Sequence, residues 1–110
     1  MVKIVNVFNI KEGVDPEELW KHWMGEHAAP MKKATGLHRY VINRVIEKLP
    51  AHNGESEGVK YWGIVELWFD SKDAYYKAMS SAPPMSPEDM WASSVGPASV
   101  TVVEEKVLVG

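Results

Sequence analysis

Tyr61-Trp62-Gly63-Ile64-Val65-Glu66-Leu67-Trp68-Phe69 decides the fold. The run is aromatic and aliphatic at odd and even positions alike, broken by one carboxylate. A strand wet on one face alternates apolar and polar residues; a strand without alternation is covered on both faces and belongs at the centre of a sheet. Asp70-Ser71 follows at once and supplies a helix start. Ala74, Tyr75, Ala78 and Met79 then recur at helical spacing as an inner face.

Upstream, residues 2–10 are β-branched and apolar with scattered polar side chains, a second central strand. Lys11-Glu12-Gly13-Val14 turns the chain. Asp15-Pro16-Glu17-Glu18 opens a helix: Asp15 caps, Pro16 suits the first helical position, and Glu18 stands where a capping box takes an acid. Leu19, Trp20, Trp23, Met24, His27, Ala28 and Met31 make one continuous inner face. Glu17, Glu18, Lys21, His22 and Glu26 fall outside it. Pro30 disfavours helical geometry at Ala29, so the helix is expected to end or kink there. Residues 37–47 form a strand with Leu37, Val41 and Val45 on one side and Tyr40, Ile42 and Ile46 on the other. Residues 48–60 form a loop long enough to serve as a lid. Beyond the second helix, Pro83, Pro84 and Pro87 mark a loop, Ser86 starts a short helical turn carrying Met90 and Trp91, and residues 98–109 make a Val-rich last strand.

The order is β-α-β-β-α-β. Right-handed crossovers turn it into an antiparallel four-stranded sheet with both helices on one face, the ferredoxin-like α+β arrangement. The other sheet face is too apolar to stay wet, which calls for a second copy packed sheet to sheet as a two-fold homodimer.

The whole-chain numbers agree. A chain of 110 residues, 45% hydrophobic and 25% charged, is one globular domain spanning residues 1–110. Such a domain buries only about 65% of its unfolded surface, so a partner surface would help it. A net charge of -3 argues against nucleic acid and anionic membrane as partners. With no cysteine, disulfides, thiolate nucleophiles and Cys-based metal sites are excluded. No apolar run reaches the ~18 residues that span a bilayer. The first residues read as a strand rather than a signal peptide, and a reducing cytoplasm is the expected location. Nothing calls for a cofactor: there is no glycine-rich phosphate loop, no Gly-x-Ser-x-Gly and no nucleotide fingerprint. Glu18-x-x-x-His22-x-x-x-Glu26 reads as a solvated charged face, not a metal site, and His52 has no role.

Five Trp, four Tyr and six Met are many for this length. They either fill a compact core or line a cavity for an apolar ligand. His27 lies on the apolar stripe one turn after Trp23, where packing alone would be met by Leu or Met. Burial favours its neutral ring and the nearby helix C-terminus its charged one, a balance suited to a general acid or base. The alternative is a core histidine bonded to a backbone carbonyl. Tyr40 either donates to a ligand oxygen where charge develops or stands with its hydroxyl at the sheet edge. His38 sits two residues away on the same side. Glu66 is costly among apolar neighbours unless paired, with Arg39, Arg44 or Lys3 as the candidates, and Asn6 and Asn9 read as buried hydrogen-bonding residues.

Three motifs carry a family resemblance over about residues 2–106: Trp20-x-x-Trp23-x-x-x-His27-Ala28-Ala29-Pro30, Gly36-Leu37-His38-Arg39-Tyr40, and Gly63-Ile64-Val65-Glu66-Leu67-Trp68-Phe69-Asp70. Together they resemble the EthD family of dimeric α/β-barrel proteins. The resemblance implies a ferredoxin-like protomer, a homodimer, and a pocket between helices and sheet in each subunit. Relatives of similar fold include 4-methylmuconolactone methylisomerase, whose helix-end His and strand Tyr match His27 and Tyr40. Its third-strand Cys corresponds to Leu67 here, so chemistry through that thiol is closed. The family's usual His-Ala-Pro has an extra alanine here, Ala28-Ala29.

The resulting expectation is a cofactor-free isomerase, or a related cyclase or lyase. His27 would move a proton on a small oxygenated ring or diene, such as a lactone or polyketide-like carbonyl compound, and Tyr40 would hold its oxygen. Trp20, Trp23, Leu67, Trp68, Met79 and Trp91 are the expected substrate-binding walls. Two readings compete: a non-catalytic small-molecule binding or accessory protein of an oxygenase system, and a cofactor-free monooxygenase or haem-handling protein.

Overall fold

The structure, a computed structural model, describes residues 1–52, 61–81 and 95–110. Four antiparallel strands form one sheet: β1 (Val2–Ile10), β2 (Leu37–Arg44), β3 (Gly63–Phe69) and β4 (Val95–Val103), in the order β2-β3-β1-β4. The two strands without alternation, β1 and β3, occupy the centre, as their composition requires. They pair from Val2 opposite Phe69 to Phe8 opposite Gly63. Helices α1 (Pro16–His22), α2 (Ala28–Met31) and α3 (Lys72–Ser81) complete the ferredoxin-like protomer.

The core lies on one sheet face. Ile4 and Phe8 of β1 and Val65, Leu67 and Phe69 of β3 meet Leu19, Trp23 and Ala28 from the first helical segment. Ala74, Tyr75 and Ala78 of α3 pack against the same cluster. Phe8 and Trp23 stack with ring centroids 4.4 Å apart and planes 8° from parallel. Gly63 permits this: a Cβ there would stand 2.7 Å from Phe8 Cζ, so only hydrogen fits beneath the ring.

The first helix starts as expected, with the Asp15 carboxylate accepting from the Glu17 N–H at 2.9 Å and Pro16 at the first position. It does not end at Ala29. Residues Trp23–His27 form a π-helical turn, in which the Ala28 N–H reaches back to the Trp23 carbonyl, and α2 carries the chain through Pro30 to Met31. A π turn absorbs one additional residue without breaking the helix.

That widened turn changes which residues are buried. The spacing runs Leu19, Trp23, Ala28, four residues and then five. Met24, expected inside, is 36% exposed, and His27 is half-buried rather than fully enclosed.

Strand β2 also departs from simple alternation. Leu37 pairs with Phe69 and Arg39 with Trp68, leaving His38 as an inserted residue. The bulge puts Leu37 on the core side with Tyr40 and Ile42, opposite to its expected grouping with Val41. The last strand begins at Val95 and ends at Val103, earlier at both ends than expected. At α3, Ser71 supplies the cap, its Oγ accepting from the Ala74 N–H at 3.1 Å; Asp70 turns instead to His38.

Candidate functional site

Trp23 organises the candidate site. It is 2% exposed; of the two residues expected to carry chemistry, His27 meets its ring and Tyr40 packs against the same core cluster. The His27 ring approaches edge-on, with centroids 4.6 Å apart and planes at 60°. On the sheet side, the half-buried Tyr40 lies opposite Leu67 and packs against the core. Burial raises the Tyr40 pKa above its ordinary value of 10.0, and a weaker polar contact with the Trp23 side chain pulls it back. The hydroxyl is protonated at neutral pH.

The other expected wall residues divide. Trp20 is half-buried beside the cluster, edge-on to Trp62 at 6.1 Å. The Arg44 guanidinium stands over the Trp20 ring at 5.6 Å and is paired with Glu17. Leu67 is buried in the core on the same sheet face. Met79 is half-buried on α3. Trp68 is on the opposite sheet face, because neighbours in a strand point to opposite sides and Leu67 points to the core. There its ring is flanked by Lys3 Nζ at 4.7 Å and Arg39 Cζ at 4.8 Å, so it is not a wall of this site. Trp91 and the short helical turn expected around it lie outside the described residues, as does most of the 48–60 loop.

Strand alternation through residues 61–69 predicts Trp62 on the same face as Glu66 and Trp68, but its side chain lies in the core on the opposite face. Trp62 precedes β3, where alternation stops being a guide, and its ring packs against Phe8, Trp20 and Trp23 at 5.5, 6.1 and 5.7 Å. It is 5% exposed, yet its indole N–H has no hydrogen-bond partner among the described residues. Asn6, expected to be satisfied in the core, leaves its Oδ1 unpartnered in the same way. The signal in the sequence was the aromatic count itself.

Glu66 is a structural residue. Its Oε1 meets Lys3 Nζ at 2.9 Å and its Oε2 accepts from Asn43 Nδ2 at 3.0 Å, both on the sheet face away from Trp23. Lys3, foremost, and then Asn43 hold its pKa below the usual carboxylate value. His38 pairs with Asp70, with side chains 46% and 63% exposed, at the β2 bulge. Among the described residues, no three His, Cys, Asp or Glu converge to hold a metal ion, and no helix is long and apolar enough to cross a membrane.

A four-stranded antiparallel sheet with helices on one face and an aromatic cluster between the layers defines a ferredoxin-like α+β architecture. The EthD domain model matches residues 11–92, and the chain belongs to that family. An EthD family protein from Bacillus halodurans has the same fold, with 20% identity, a TM-score of 0.61, and coverage of 96% of this chain and 99% of that one. SnoaB, a cofactor-independent oxygenase from Streptomyces nogalater, is similar at 17% identity and a TM-score of 0.64, covering 98% and 97% of the two chains. A dimeric ferredoxin-like protein of unknown function from Bacteroides fragilis matches at 15% identity and a TM-score of 0.60, covering 94% and 95%. No curated protein matches this sequence.

Proposed function

We propose that this protein is a cofactor-free enzyme of small oxygenated molecules, in which His27 transfers a proton and Tyr40 holds the oxygen that gains negative charge. The observation that carries the reading is the neighbourhood of Trp23: the imidazole of His27 meets the buried indole edge-on, and Tyr40 packs against the same core cluster from the sheet. Each group suits its role. An imidazole accepts or releases a proton near neutral pH. A phenol whose pKa is raised by burial remains a hydrogen-bond donor to a carbonyl or enolate. In an isomerisation the ring nitrogen of His27 takes the proton from a carbon next to the substrate carbonyl. The C–H electron pair moves into the enolate, whose oxygen Tyr40 holds. The same proton returns at another carbon, so no oxidant or reductant is consumed. The bare sheet face, with half-buried Val5, Val7, Val41 and Ile64, is read as the seat of a second copy; the dimeric Bacteroides fragilis relative supports this.

Deuterium exchange into enolisable lactones and cyclic ketones in D2O, followed by NMR, tests the chemistry. A positioned acid–base group contributes about 10²–10⁴-fold, so His27→Gln should slow exchange by at least ~100-fold while leaving binding intact. Equal exchange in wild type and variant, with binding retained, makes the protein a binder instead. The similarity to SnoaB favours a second enzymatic reading, a cofactor-independent oxygenase of enolisable aromatics. It predicts oxygen consumption in the same assay.

A further inference from the structure

We propose that Trp62 is a ligand-directed donor, whose indole N–H binds the carbonyl or enol oxygen of a planar, uncharged molecule seated against the Trp20–Trp23–Trp62 cluster. The inference rests on the reading above for the location and class of the ligand and adds a residue that recognises its oxygen.

The backbone of Trp62 is fixed, its N–H bonded to the Phe8 carbonyl at 3.0 Å. Its side chain turns into the core with 5% exposure. Its aromatic neighbours Phe8, Trp20 and Trp23 present ring carbon, which accepts no conventional hydrogen bond. The indole N–H is left without a partner among the described residues. Buried donors are almost always satisfied, because an unmet one forfeits its bond to water with no return. If packing were the only demand, Phe would supply a ring there with no orphan donor. The surplus of Trp62 over Phe is one N–H, and its use is to meet an acceptor that comes and goes. The cation at the cluster, Arg44, is already paired with Glu17, so the cluster offers a neutral donor beside aromatic walls. That combination suits a ketone, lactone or enol oxygen on a flat apolar skeleton rather than a carboxylate.

The matched probes 1-indanone and indane share a bicyclic skeleton and differ by the carbonyl. The five indole N–H signals of the 15N-labelled protein report binding, with the Trp62 signal assigned from its loss in Trp62→Phe or from its contacts to the Phe8 ring. Indanone should bind about tenfold more tightly than indane and move the Trp62 signal downfield, and Trp62→Phe should bring the two affinities within about twofold. Should Trp62→Phe not fold, the wild-type shift of the Trp62 signal decides, and Trp62→Leu, which also removes the donor, should bring the two affinities within about twofold. An unmoved Trp62 signal, an unchanged preference in Trp62→Phe, or no binding of either probe overturns the proposal; a water permanently holding the N–H would give that result. Repeating the titration in His27→Gln separates the two readings. If His27 is not the proton carrier, exchange is unaffected while the carbonyl preference persists. If Trp62 is not a donor, the preference is absent while exchange still depends on His27.

Discussion

Tyr40, proposed to hold the substrate oxygen, has its surroundings fixed by its place in the fold. Its ring lies on the core side of β2 opposite Leu67, and burial raises the pKa of its phenol above the ordinary value. Removing only the hydroxyl in Tyr40→Phe preserves the packing and deletes the donor. Loss of one oxyanion donor elsewhere costs about 10²–10³-fold in turnover; a half-buried phenol is expected at the low end, about 100-fold. The deuterium-exchange assay reads it, with thermal unfolding unchanged within ~1 kcal/mol. A full-rate Tyr40→Phe protein would remove Tyr40 from the chemistry. At this scale the site was partly legible. His27 stood out as a polar residue on an apolar stripe, and Tyr40 followed from its motif. Trp68 was misplaced although strand parity already separated it from Leu67. Trp62 was illegible because it sits one residue outside β3, where the turn of the chain rather than alternation decides direction.

The first helical segment explains the largest local departure. Helical periodicity of 3.6 predicts His27 on the buried stripe, four residues after Trp23. The π turn moves Ala28 into that place, and His27 is left half-exposed beside the Trp23 ring, where it can reach both indole and solvent. Periodicity is blind to one inserted residue, because the shift is invisible until the hydrogen bonds are drawn. The extra alanine before Pro30 was its trace. Elsewhere the elements were readable for physical reasons: the unalternated runs became the central strands, and Asp15-Pro16 became the first cap. The β2 bulge is invisible to alternation for the same reason as the π turn is to periodicity: one additional residue reverses parity beyond it. Gly25 lies within the π turn, with negative φ and nothing within 4 Å of a Cβ built upon it. Gly25→Ala should therefore raise stability by about 0.5–1 kcal/mol, measured as a higher urea midpoint, with exchange activity retained. A loss of stability would mean that the turn needs glycine for more than chain flexibility.

For the whole molecule, the decisive feature is the sheet face opposite the helices. Val5, Val7, Val41, Ile64 and Trp68 share it with a polar cluster that is already satisfied: Lys3 bridges Glu66 and Glu105 at 2.9 and 2.6 Å, and Asn43 holds the second Glu66 oxygen. Polar groups that partner one another before being covered leave fewer unmet bonds when a second copy closes over them. Sedimentation at pH 7 is accordingly expected to give twice the 12.4 kDa chain mass. The same cluster sets a direction for acid stability. Lys3 and Asn43 lower the folded-state pKa of Glu66 below its ordinary 4.5, so the unfolded chain binds that proton more readily. Its contribution is complete above about pH 4.5 and is lost as pH falls through the lower folded value. Glu66→Gln has no such proton to gain. The wild type should exceed the variant in urea midpoint at pH 7, and the gap should narrow steadily between pH 5 and pH 3. A gap that stays constant across that range would show that the Lys3–Glu66 pair adds nothing to folding, and a 12.4 kDa particle at pH 7 would leave the bare sheet face without its proposed second copy.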